Sequence, residues 1–529
     1  MYKLIKNGLI YDGTLENKPF IGDILIKDNI IEKIDKSIDF ENAEIIINAE
    51  NKIVTPGFID IHRHCDLAIF KENFGKLELA QGITTIGTGV CGFSFAPYTE
   101  KSKGLYDYSV PTHGHPIKDT KYPKLSDYIN DLKSIDKPVN ISTLQGTGAV
   151  RLAVKGYDTS PFTEAEMLRA QEYIKETVDF GIKGFSSGLV YLPEVYNTKE
   201  EMKKLFAPCK GKNMIYMPHM RDEASRLVEA VEESIEIAQE NDMALHISHL
   251  KALGPENWNT TLDKAINLIE KAQKNGMDIT VDFYPYHGTA TTLAAILPVS
   301  FLDKNFDDIL KNITSKESME KMRYCYQNPG PNDENISPDF RWSHSMISSL
   351  SKMENKKYIG KTIHQCTVEA GCQDEIEFIS YLLESENGKI GIVGFNISPD
   401  DIIKIAELPY SIVISDALYD ESDTPHPRKM AAFTHFLKYY INDLKVLSLQ
   451  EGIHKITQMP AKRLGYQHRG VLAEGNFADI LVFDIDKLGD NATFDNSNHL
   501  STGMNYVLVN GEIAWKDEKL IGKYGEVLH

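Results

Sequence analysis

The sequence predicts an α/β protein: a TIM-like (β/α)8 barrel, a small β-sandwich domain formed by both chain ends, and an insertion between the last two barrel strands. Three observations lead to this prediction. Apolar strand-like runs alternate with amphipathic helical patterns through the middle of the chain. Short alternating runs, separated by Asn and Gly, occupy both ends. A long polar segment separates the last two apolar runs of the middle region.

Composition and charge narrow the class of protein. The chain has 529 residues, of which 42% are hydrophobic and 25% charged, so it can bury a large core and form more than one domain. Its formal net charge of −19 argues against nucleic-acid and anionic-membrane partners, because both require a basic surface. A small anionic substrate stays compatible with this charge, since a basic pocket can form within an acidic protein. A homo-oligomer is compatible with the sequence as well.

The cysteines and the first residues indicate a cytoplasmic protein. The six cysteines, at positions 65, 91, 209, 325, 366 and 372, are too few and too scattered for a disulfide framework. Residues 1–7 lack the apolar core of a signal peptide, and no uninterrupted apolar segment reaches membrane-spanning length. We therefore expect a reduced, cytoplasmic protein with no membrane partner.

Both chain ends show the pattern of small antiparallel strands. Neither end is long enough to bury a core alone, so we expect residues 1–55 and 471–529 to pair into one β-sandwich domain. The Asn510-Gly511 dipeptide is a strong signal for a two-residue hairpin turn. The strand-like runs lie at residues 2–5, 22–26, 30–34, 478–484 and 506–514.

The middle of the chain, residues 56–470, has the rhythm of a parallel barrel. Amphipathic helical patterns fall between the apolar runs, and residues 226–240 are one example. The eight runs predicted as barrel strands are 57–64, 84–90, 139–144, 183–187, 214–219, 244–249, 278–284 and 411–416.

The gap between the last two predicted strands is too long for one helix. We place an insertion there, at about residues 288–410; it contains the polar segment 312–357 and a strand-like run at 389–395. The sequence leaves two interpretations open, a lid over the barrel mouth and a solvated surface excursion.

Candidate metal ligands follow the ends of the predicted strands. His62 and His64 are two residues apart on the first strand, so their side chains share a face at its C-terminal end. In a parallel barrel the chemistry lies at that end of the strands. The second, fifth, sixth and eighth strands lead to Cys91, His219, His249 and Asp416.

This set of residues suits a hydrolytic metal site. Imidazole and thiolate are good zinc ligands, and a thiol near two cations loses its proton readily, so Cys91 can bridge two metal positions. Zinc lowers the pKa of a coordinated water to about 7, and a nearby carboxylate such as Asp416 can accept the proton. Each residue taken singly is better explained as structural; their coincidence at five strand ends favours the metal site. We predict one tightly bound Zn²⁺, with a place for a second.

Other candidate ligands do not fit this pattern. His246 is three residues from His249 and so faces the other side of the strand. His113 and His115 imitate a ligand pair but lie in a loop, and Cys65 follows His64 directly and should point away from it. We assign none of them to the metal.

At this point the sequence resembles the amidohydrolase superfamily and, within it, the D-aminoacylase (N-acyl-D-amino-acid deacylase) group. The resemblance covers nearly the whole chain, and GVCG, HMRDE and HPR are its specific parts. The matching segments are PGFIDIHRH, QGITTIGTGVCGFSFAP, GFSSGLVYLPE, HMRDE, ISHLKALG, DFYPY, SDAL, HPR and MPAKRLGYQHRGVLAEGNFADILVFD.

The resemblance implies zinc-dependent hydrolysis of the amide bond of N-acyl-D-amino acids. It implies that His62 and His64 hold one metal and that His219 and His249 hold the other, tighter one, with Cys91 shared. Asp416 then resembles the general acid/base. Substrate-binding positions match Lys251, Tyr284, Arg428 and Tyr191.

Some residues depart from the pattern of this group. Arg63 replaces a Thr between the paired histidines, Cys65 and Asp66 replace an acidic pair, and Leu250 replaces a His. Ala290 stands where a Ser often binds the carboxylate. These changes leave the metal chemistry intact and put the identity of the substrate in doubt.

Two alternatives are compatible with the same fold. A cyclic-amide hydrolase of the hydantoinase or dihydroorotase type bridges its metals with a carboxylated lysine at the end of strand four, but Ser186, Ser187 and Gly188 stand there. A non-catalytic scaffold would have lost ligands, whereas this chain retains every candidate.

Overall fold

Eight parallel strands follow one another through the middle of the chain, each hydrogen-bonded to the next. The structure is a computed structural model, which describes residues 1–528 except 106–108, 110–111, 117–120, 303–305, 331, 421 and 423. Three of the strands are interrupted and consist of two short segments. In order, the strands are Phe58–Asp60 with Arg63–His64, Ile83–Thr88, Asn140–Thr143 with Gln145–Gly146, Gly184–Gly188, Ile215–His219, Ala244–Ile247, Ile279–Phe283, and Ser411–Val413 with Ala417–Leu418.

The pairing order returns to its starting point. Strands one to seven pair in chain order, and strand seven pairs with the eighth at Ser411–Val413. The second segment of strand eight, Ala417–Leu418, then pairs in parallel with Arg63–His64 of strand one. Because all these pairs are parallel, the C-terminal ends of the eight strands lie at one edge.

Helices connect successive parallel strands, as the alternating pattern predicts. The helix predicted at residues 226–240 is observed as Leu227–Glu240, with Leu227, Val231 and Ile235 buried. The α-helices of this region are Lys76–Ala80, Leu125–Ser134, Thr147–Lys155, Glu164–Phe180, Lys199–Leu205, Leu227–Glu240, Thr260–Lys274, Pro399–Glu407, Arg428–His435, Leu449–Ile456 and Gln458–Leu464. Among the described residues, no helix combines the length and the apolar character needed to cross a bilayer.

The two chain ends share one nine-stranded mixed sheet. Ile53–Pro56, which precedes the first parallel strand, pairs antiparallel with Ile480–Phe483 and so joins the two ends. The hairpin predicted at Asn510-Gly511 is present, and both residues have the positive φ that this turn requires. The strands are Tyr2–Ile10, Phe20–Lys27, Ile30–Asp35, Ile45–Asn48, Ile53–Pro56, Ile480–Phe483, Met504–Val509, Glu512–Lys516 and Lys519–Leu520.

The segment between strands seven and eight has its own core. A three-stranded antiparallel sheet forms from Thr289–Thr292, Gly391–Gly394 and Ser345–Ser349. Buried residues such as Trp342 and Phe378 belong to a separate apolar cluster in this segment. Its α-helices are Phe306–Leu310, Lys316–Gln327, Pro338–His344, Ile363–Ala370 and Glu375–Ser385.

Two predicted strand ends are wrong. The sixth strand ends at Ile247 rather than at 249, and the first segment of strand eight ends at Val413 rather than at 416. At both places the backbone leaves the extended conformation, because His249 and Asp416 have positive φ angles of 35° and 49°. The two candidate functional residues therefore lie in the turns that follow the strands.

Candidate metal centre and substrate cavity

Five buried side chains from four parallel strands form two groups that could each hold a metal ion. One group is His62, His64 and Cys91, and the other is Cys91, His219 and His249. Within each group, the candidate ligand atoms all lie within 4.8 Å of one another. Cys91 is common to both groups, so the structure brings together all five ligands predicted from the sequence around one sulfur atom.

The distances and the chemistry of these donors fit a metal. His62 Nε2 lies 3.2 Å from Cys91 Sγ, and His249 Nε2 lies 3.4 Å from the same sulfur. The rings of His219 and His249 are 4.4 Å apart between centroids. The buried Nδ1 of His219 has no hydrogen-bond partner among the described residues. Nitrogen and sulfur donors in this arrangement suit a borderline-soft ion such as zinc.

Two buried carboxylates each contact the Nδ1 atom of a candidate ligand histidine. Asp282 Oδ2 lies 3.2 Å from His62 Nδ1, and Glu223 Oε1 lies 2.9 Å from His249 Nδ1. In each case the nitrogen facing away from Cys91 contacts the carboxylate. This arrangement fixes the ring orientation and makes the other nitrogen a better ligand.

The contacts of Asp282 and Glu223 with the histidines are not evident from the sequence. Both residues lie in segments that match the D-aminoacylase group, DFYPY and HMRDE, but their spacing alone does not show which histidine each one contacts. His246, which we excluded as a ligand, has its Nε2 2.9 Å from the same Asp282 carboxylate. The sequence signal that could have identified the role of Asp282 is a buried Asp on a strand that neighbours a strand carrying a histidine.

The charges at the site favour a thiolate at Cys91. Burial alone would raise the pKa of the Cys91 thiol, but His62 and His249 beside it lower that pKa well below its usual value. Burial would likewise raise the pKa of Glu223, whereas Lys251, His219 and His249 lower it to about 2. The centre therefore presents anions both at the shared sulfur and behind the histidines.

Three of the site residues adopt left-handed backbone conformations. Cys91, His249 and Asp416 have φ angles of 51°, 35° and 49°, values that residues other than glycine rarely adopt. Such conformations persist only where the surrounding structure imposes them, and they are common at functional sites. Each of the three residues follows the C-terminal end of a parallel strand, and the left-handed conformation changes the direction of its side chain there.

Asp416 lies beside the His62 and His64 group. Its Oδ1 is 3.1 Å from His64 Nε2 and 3.6 Å from His62 Nε2. Burial alone would raise the pKa of Asp416, but the Arg428 guanidinium and the contact with His64 lower it well below its ordinary range. Asp416 is therefore ionised and placed next to the ligand groups.

The predicted substrate-binding residues line one cavity together with the ligand groups. The guanidinium of Arg428 lies over the ring of Tyr284, 4.4 Å from its centroid, and Arg428 Nη1 is 3.0 Å from Asp416 Oδ2. This ion pair lacks hydrogen-bond alignment, so Nη1 and Nε of Arg428 have no hydrogen-bond partner among the described residues. Nη1 and Nε can therefore donate hydrogen bonds to an anionic group. Residues lining the cavity include His64, Cys91, Tyr191, His219, His249, Lys251, Tyr284, Asp416 and Arg428.

Lys251 and Tyr191 occupy different walls of this cavity. Lys251 Nζ donates to Glu223 Oε1 at 2.7 Å and lies 2.8 Å from His249 Nδ1. Tyr191 packs edge-to-face against His219, with ring centroids 4.8 Å apart. Ala290, the departure from the usual Ser, accepts a long contact of 3.5 Å from Arg428 Nη2 through its backbone oxygen.

Two of the residues left unassigned belong to neither ligand group, although one of them contacts a member of the first group. His113 belongs to neither group, although its Nε2 is 3.4 Å from His64 Nδ1. Cys65 is fully buried in the main apolar cluster, and burial raises the pKa of its thiol well above the usual value.

Arg63, the residue between the paired histidines, ties strand one to strand eight. Its side chain is completely buried and forms ion pairs with Asp60 and Glu78, at 3.1 and 3.0 Å. It also donates to Ser415 Oγ at 3.0 Å. Asp60 in turn accepts from the backbone nitrogen of Ser415 at 3.1 Å, next to Asp416. The network therefore fixes the turn that presents Asp416.

Comparisons with known proteins point to one group of enzymes. Residues 415–514 match the Amidohydrolase family. D-aminoacylase of Alcaligenes xylosoxydans xylosoxydans is 27% identical over 487 residues, which cover 92% of this chain and 89% of that protein. N-acyl-D-glutamate deacylase of the same organism is 26% identical over 469 residues, 89% of this chain and 85% of that protein.

A solved structure agrees with these relatives. The crystal structure of N-acyl-D-glutamate deacylase from Bordetella bronchiseptica, complexed with zinc and a phosphonate mimic of the tetrahedral intermediate, matches with a TM-score of 0.81. It is 26% identical, and the match covers 99% of each chain.

The fold and the shared histidine–cysteine site define a protein similar to the metal-dependent amidohydrolases. Within that class the similarity is to the D-aminoacylases, and it extends over nearly the whole chain. The resemblance predicted from the sequence motifs is therefore confirmed.

Replacing the shared cysteine should remove metal from the protein. We expect Cys91→Ala to retain much less metal than the parent protein after purification, because both candidate ligand groups lose their common anion. Metal content measured by mass spectrometry tests this. Cys209→Ala, at a buried cysteine in the main apolar cluster, is the control and should retain the parent's metal content. A metal content in Cys91→Ala equal to that of the parent protein would show that Cys91 is not a ligand shared by the two groups.

Removing the guanidinium of Arg63 should destabilise the fold. We expect Arg63→Leu to lower the free energy of unfolding by about 3–5 kcal/mol, because it leaves the Asp60 and Glu78 carboxylates buried without a counter-charge. Arg169→Leu is the control, since the exposed Arg169–Glu172 pair contributes at most about 1 kcal/mol. Denaturant unfolding of both variants tests this. Equal midpoints for the two would show that the Arg63 network does not stabilise the protein.

Proposed function

We propose that this protein is a metal-dependent amidohydrolase that cleaves the amide bond of N-acyl-D-amino acids, releasing a carboxylate and a free D-amino acid. One observation carries the proposal: the candidate ligand groups around Cys91 share a cavity with an ionised Asp416 and with Arg428, whose Nε and Nη1 have no hydrogen-bond partner among the described residues. The similarity to D-aminoacylase and to two N-acyl-D-amino-acid deacylases supports it.

The metal we propose is zinc. Cys91, His219 and His249 would hold a tightly bound ion, and His62, His64 and the shared Cys91 would hold a second. A bound zinc supplies an activated water and polarises the acyl carbonyl. The zinc in the related Bordetella deacylase supports this choice.

Asp416 is the proposed general acid/base. Its carboxylate, ionised and 3.1 Å from His64 Nε2, is placed to take a proton from the attacking water. It would then return that proton to the nitrogen of the departing amine, so one side chain serves both halves of the reaction.

Four residues would position the substrate. Arg428 offers a planar fork that matches the α-carboxylate, and Tyr284 beneath it adds a neutral hydroxyl donor. Lys251 would add a second positive charge, with its Nζ 5.9 Å from the centroid of the same Tyr284 ring, and Tyr191 would face the acyl group from beside His219. Holding the carboxylate in this way fixes the position of the amide relative to Asp416.

We infer a (β/α)8 barrel from the closed order of parallel pairs and a β-sandwich from the sheet shared by both chain ends. The domain boundaries we propose are 1–55 and 471–529 for the β-sandwich and 56–470 for the barrel. The insertion at about 288–410 contributes to the cavity lining, which supports its role as a lid. The six cysteines, all free, support a reducing, cytoplasmic location, and the substrate we propose is a small anion.

Loss of the Asp416 carboxylate should abolish most of the turnover. We expect Asp416→Asn to lower kcat by about 10²–10⁴-fold, because the amide cannot accept the proton of the attacking water. Steady-state kinetics with parallel metal analysis test this, and Asp179→Asn, at an exposed surface pair, is the control. Near-parental turnover in Asp416→Asn with metal bound would exclude this role.

A substrate panel tests the proposed reaction itself. We expect hydrolysis of N-acetyl or N-formyl D-amino acids and little hydrolysis of the L-isomers. Cyclic amides such as hydantoin and dihydroorotate should be poor substrates, because strand four ends at Gly188 without a lysine to bridge the metals. Hydrolysis of L-isomers alone, or of cyclic amides alone, would refute the proposal. A zinc-free protein without any activity would favour the scaffold alternative.

A further inference from the structure

Two charged residues of the insertion face the cavity without a complete set of partners. Arg341, on the helix Pro338–His344, is only 7% exposed, and its Nε has no hydrogen-bond partner among the described residues. Its Nη2 donates to the backbone oxygen of Glu334 at 3.2 Å. Both residues line the cavity that contains the metal-ligand groups.

Glu334 presents the complementary group. Its carboxyl group forms no hydrogen bond or ion pair with any described residue. Burial, with the charge of Asp222 nearby, raises its pKa to about 7. A buried carboxyl group without a hydrogen-bond partner is stabilised when an N–H group donates to it.

These groups differ from the other charges of the cavity. Arg428 lies against Asp416, and Lys251 donates to Glu223, so both of these cations already have an anion beside them. The charges of Arg341 and Glu334 act on each other, but among the described residues no ion pair or hydrogen bond joins the guanidinium to the carboxyl group. The helix that carries Arg341 is held in place by Trp342, which is buried in the core of the insertion.

We propose that Arg341 and Glu334 form a subsite for the substrate's side chain and that this subsite selects an uncharged carboxamide. The inference rests on the proposed function and specifies its substrate class as N-acyl derivatives of D-glutamine or D-asparagine. The carboxamide oxygen accepts from Arg341, and its NH₂ group donates to Glu334.

Other side chains fit this subsite less well. At a pH above the raised pKa of Glu334, a carboxylate pairs with Arg341 but brings a second anion next to the ionised Glu334, which is repulsive. An aliphatic side chain leaves both buried groups without partners and so forfeits their hydrogen bonds. The carboxamide supplies an acceptor and a donor on separate atoms at one end of an uncharged chain.

The experiment compares kcat/KM at about pH 8.5, where Glu334 is ionised, for N-acetyl derivatives of D-glutamine, D-glutamate, D-methionine and D-alanine. The first three have side chains of similar length, and alanine serves as a reference that does not reach the subsite. We expect glutamine to exceed both glutamate and methionine by at least about tenfold. A preference for glutamate or for methionine would overturn the proposal.

Two variants test which residue provides the selection. Arg341→Met should lower the ratio of kcat/KM for the glutamine substrate to that for the alanine substrate by about tenfold or more. Glu334→Gln should raise glutamate relative to glutamine, because it removes the repelling charge. Unchanged substrate ratios in both variants would overturn the proposal. Glu334→Gln preserves the size of the side chain and so keeps the test informative if Arg341→Met fails to fold.

A control variant and a reference substrate distinguish a failure of the subsite from a failure of the proposed function. Arg323→Met removes an arginine of the insertion that pairs with Asp374 and does not line the cavity, so it should leave all substrate ratios unchanged. If the parent hydrolyses none of the four substrates, the proposed function fails and the subsite fails with it. If the parent hydrolyses the alanine derivative without preferring glutamine, the subsite alone is wrong.

Discussion

The contact between one buried sulfur and two separate sets of imidazoles determines the geometry of this molecule. Cys91 Sγ lies 3.2 and 3.4 Å from nitrogens of His62 and His249, which come from strands one and six. Nothing local in the sequence brings these residues together; the closed order of parallel pairs does. A change of register in any of these strands would move a ligand out of reach. The fold therefore serves the site by fixing the positions of strand ends.

Burying so much charge requires that each group have a counterpart. Asp282 faces His62, Glu223 faces both His249 and Lys251, and Asp416 faces Arg428. In a medium of low dielectric constant an unpaired charge would be expelled or neutralised, so these contacts keep the centre ionised. The same rule holds at Arg63, further from the cavity, where the charge of the guanidinium neutralises the charges of Asp60 and Glu78.

The parts of this protein that could be predicted from sequence are those recorded in short periodic patterns. The eight parallel strands and the ligands at their ends follow from apolar runs that end in His or Cys. The contacts of Asp282 with His62 and of Glu223 with His249 could not be predicted, because they depend on which side chains lie opposite each other between strands. The strand ends at His249 and Asp416 were misplaced for a related reason. Left-handed backbone at a His or Asp is imposed by tertiary contacts, and no local propensity indicates it.

Arg63 shows why a departure from a family pattern deserves a physical explanation. In the sequence it stands between two candidate metal ligands, where a cation would repel a bound metal ion. In the structure its side chain turns away from Cys91 towards Asp60, Glu78 and Ser415, because neighbouring residues on a strand face opposite sides. Its positive charge is neutralised by two carboxylates, so it reaches the site only through the position of the backbone that carries Asp416. A residue can thus lie between two ligands in sequence and still act on the site from the far side of the strand.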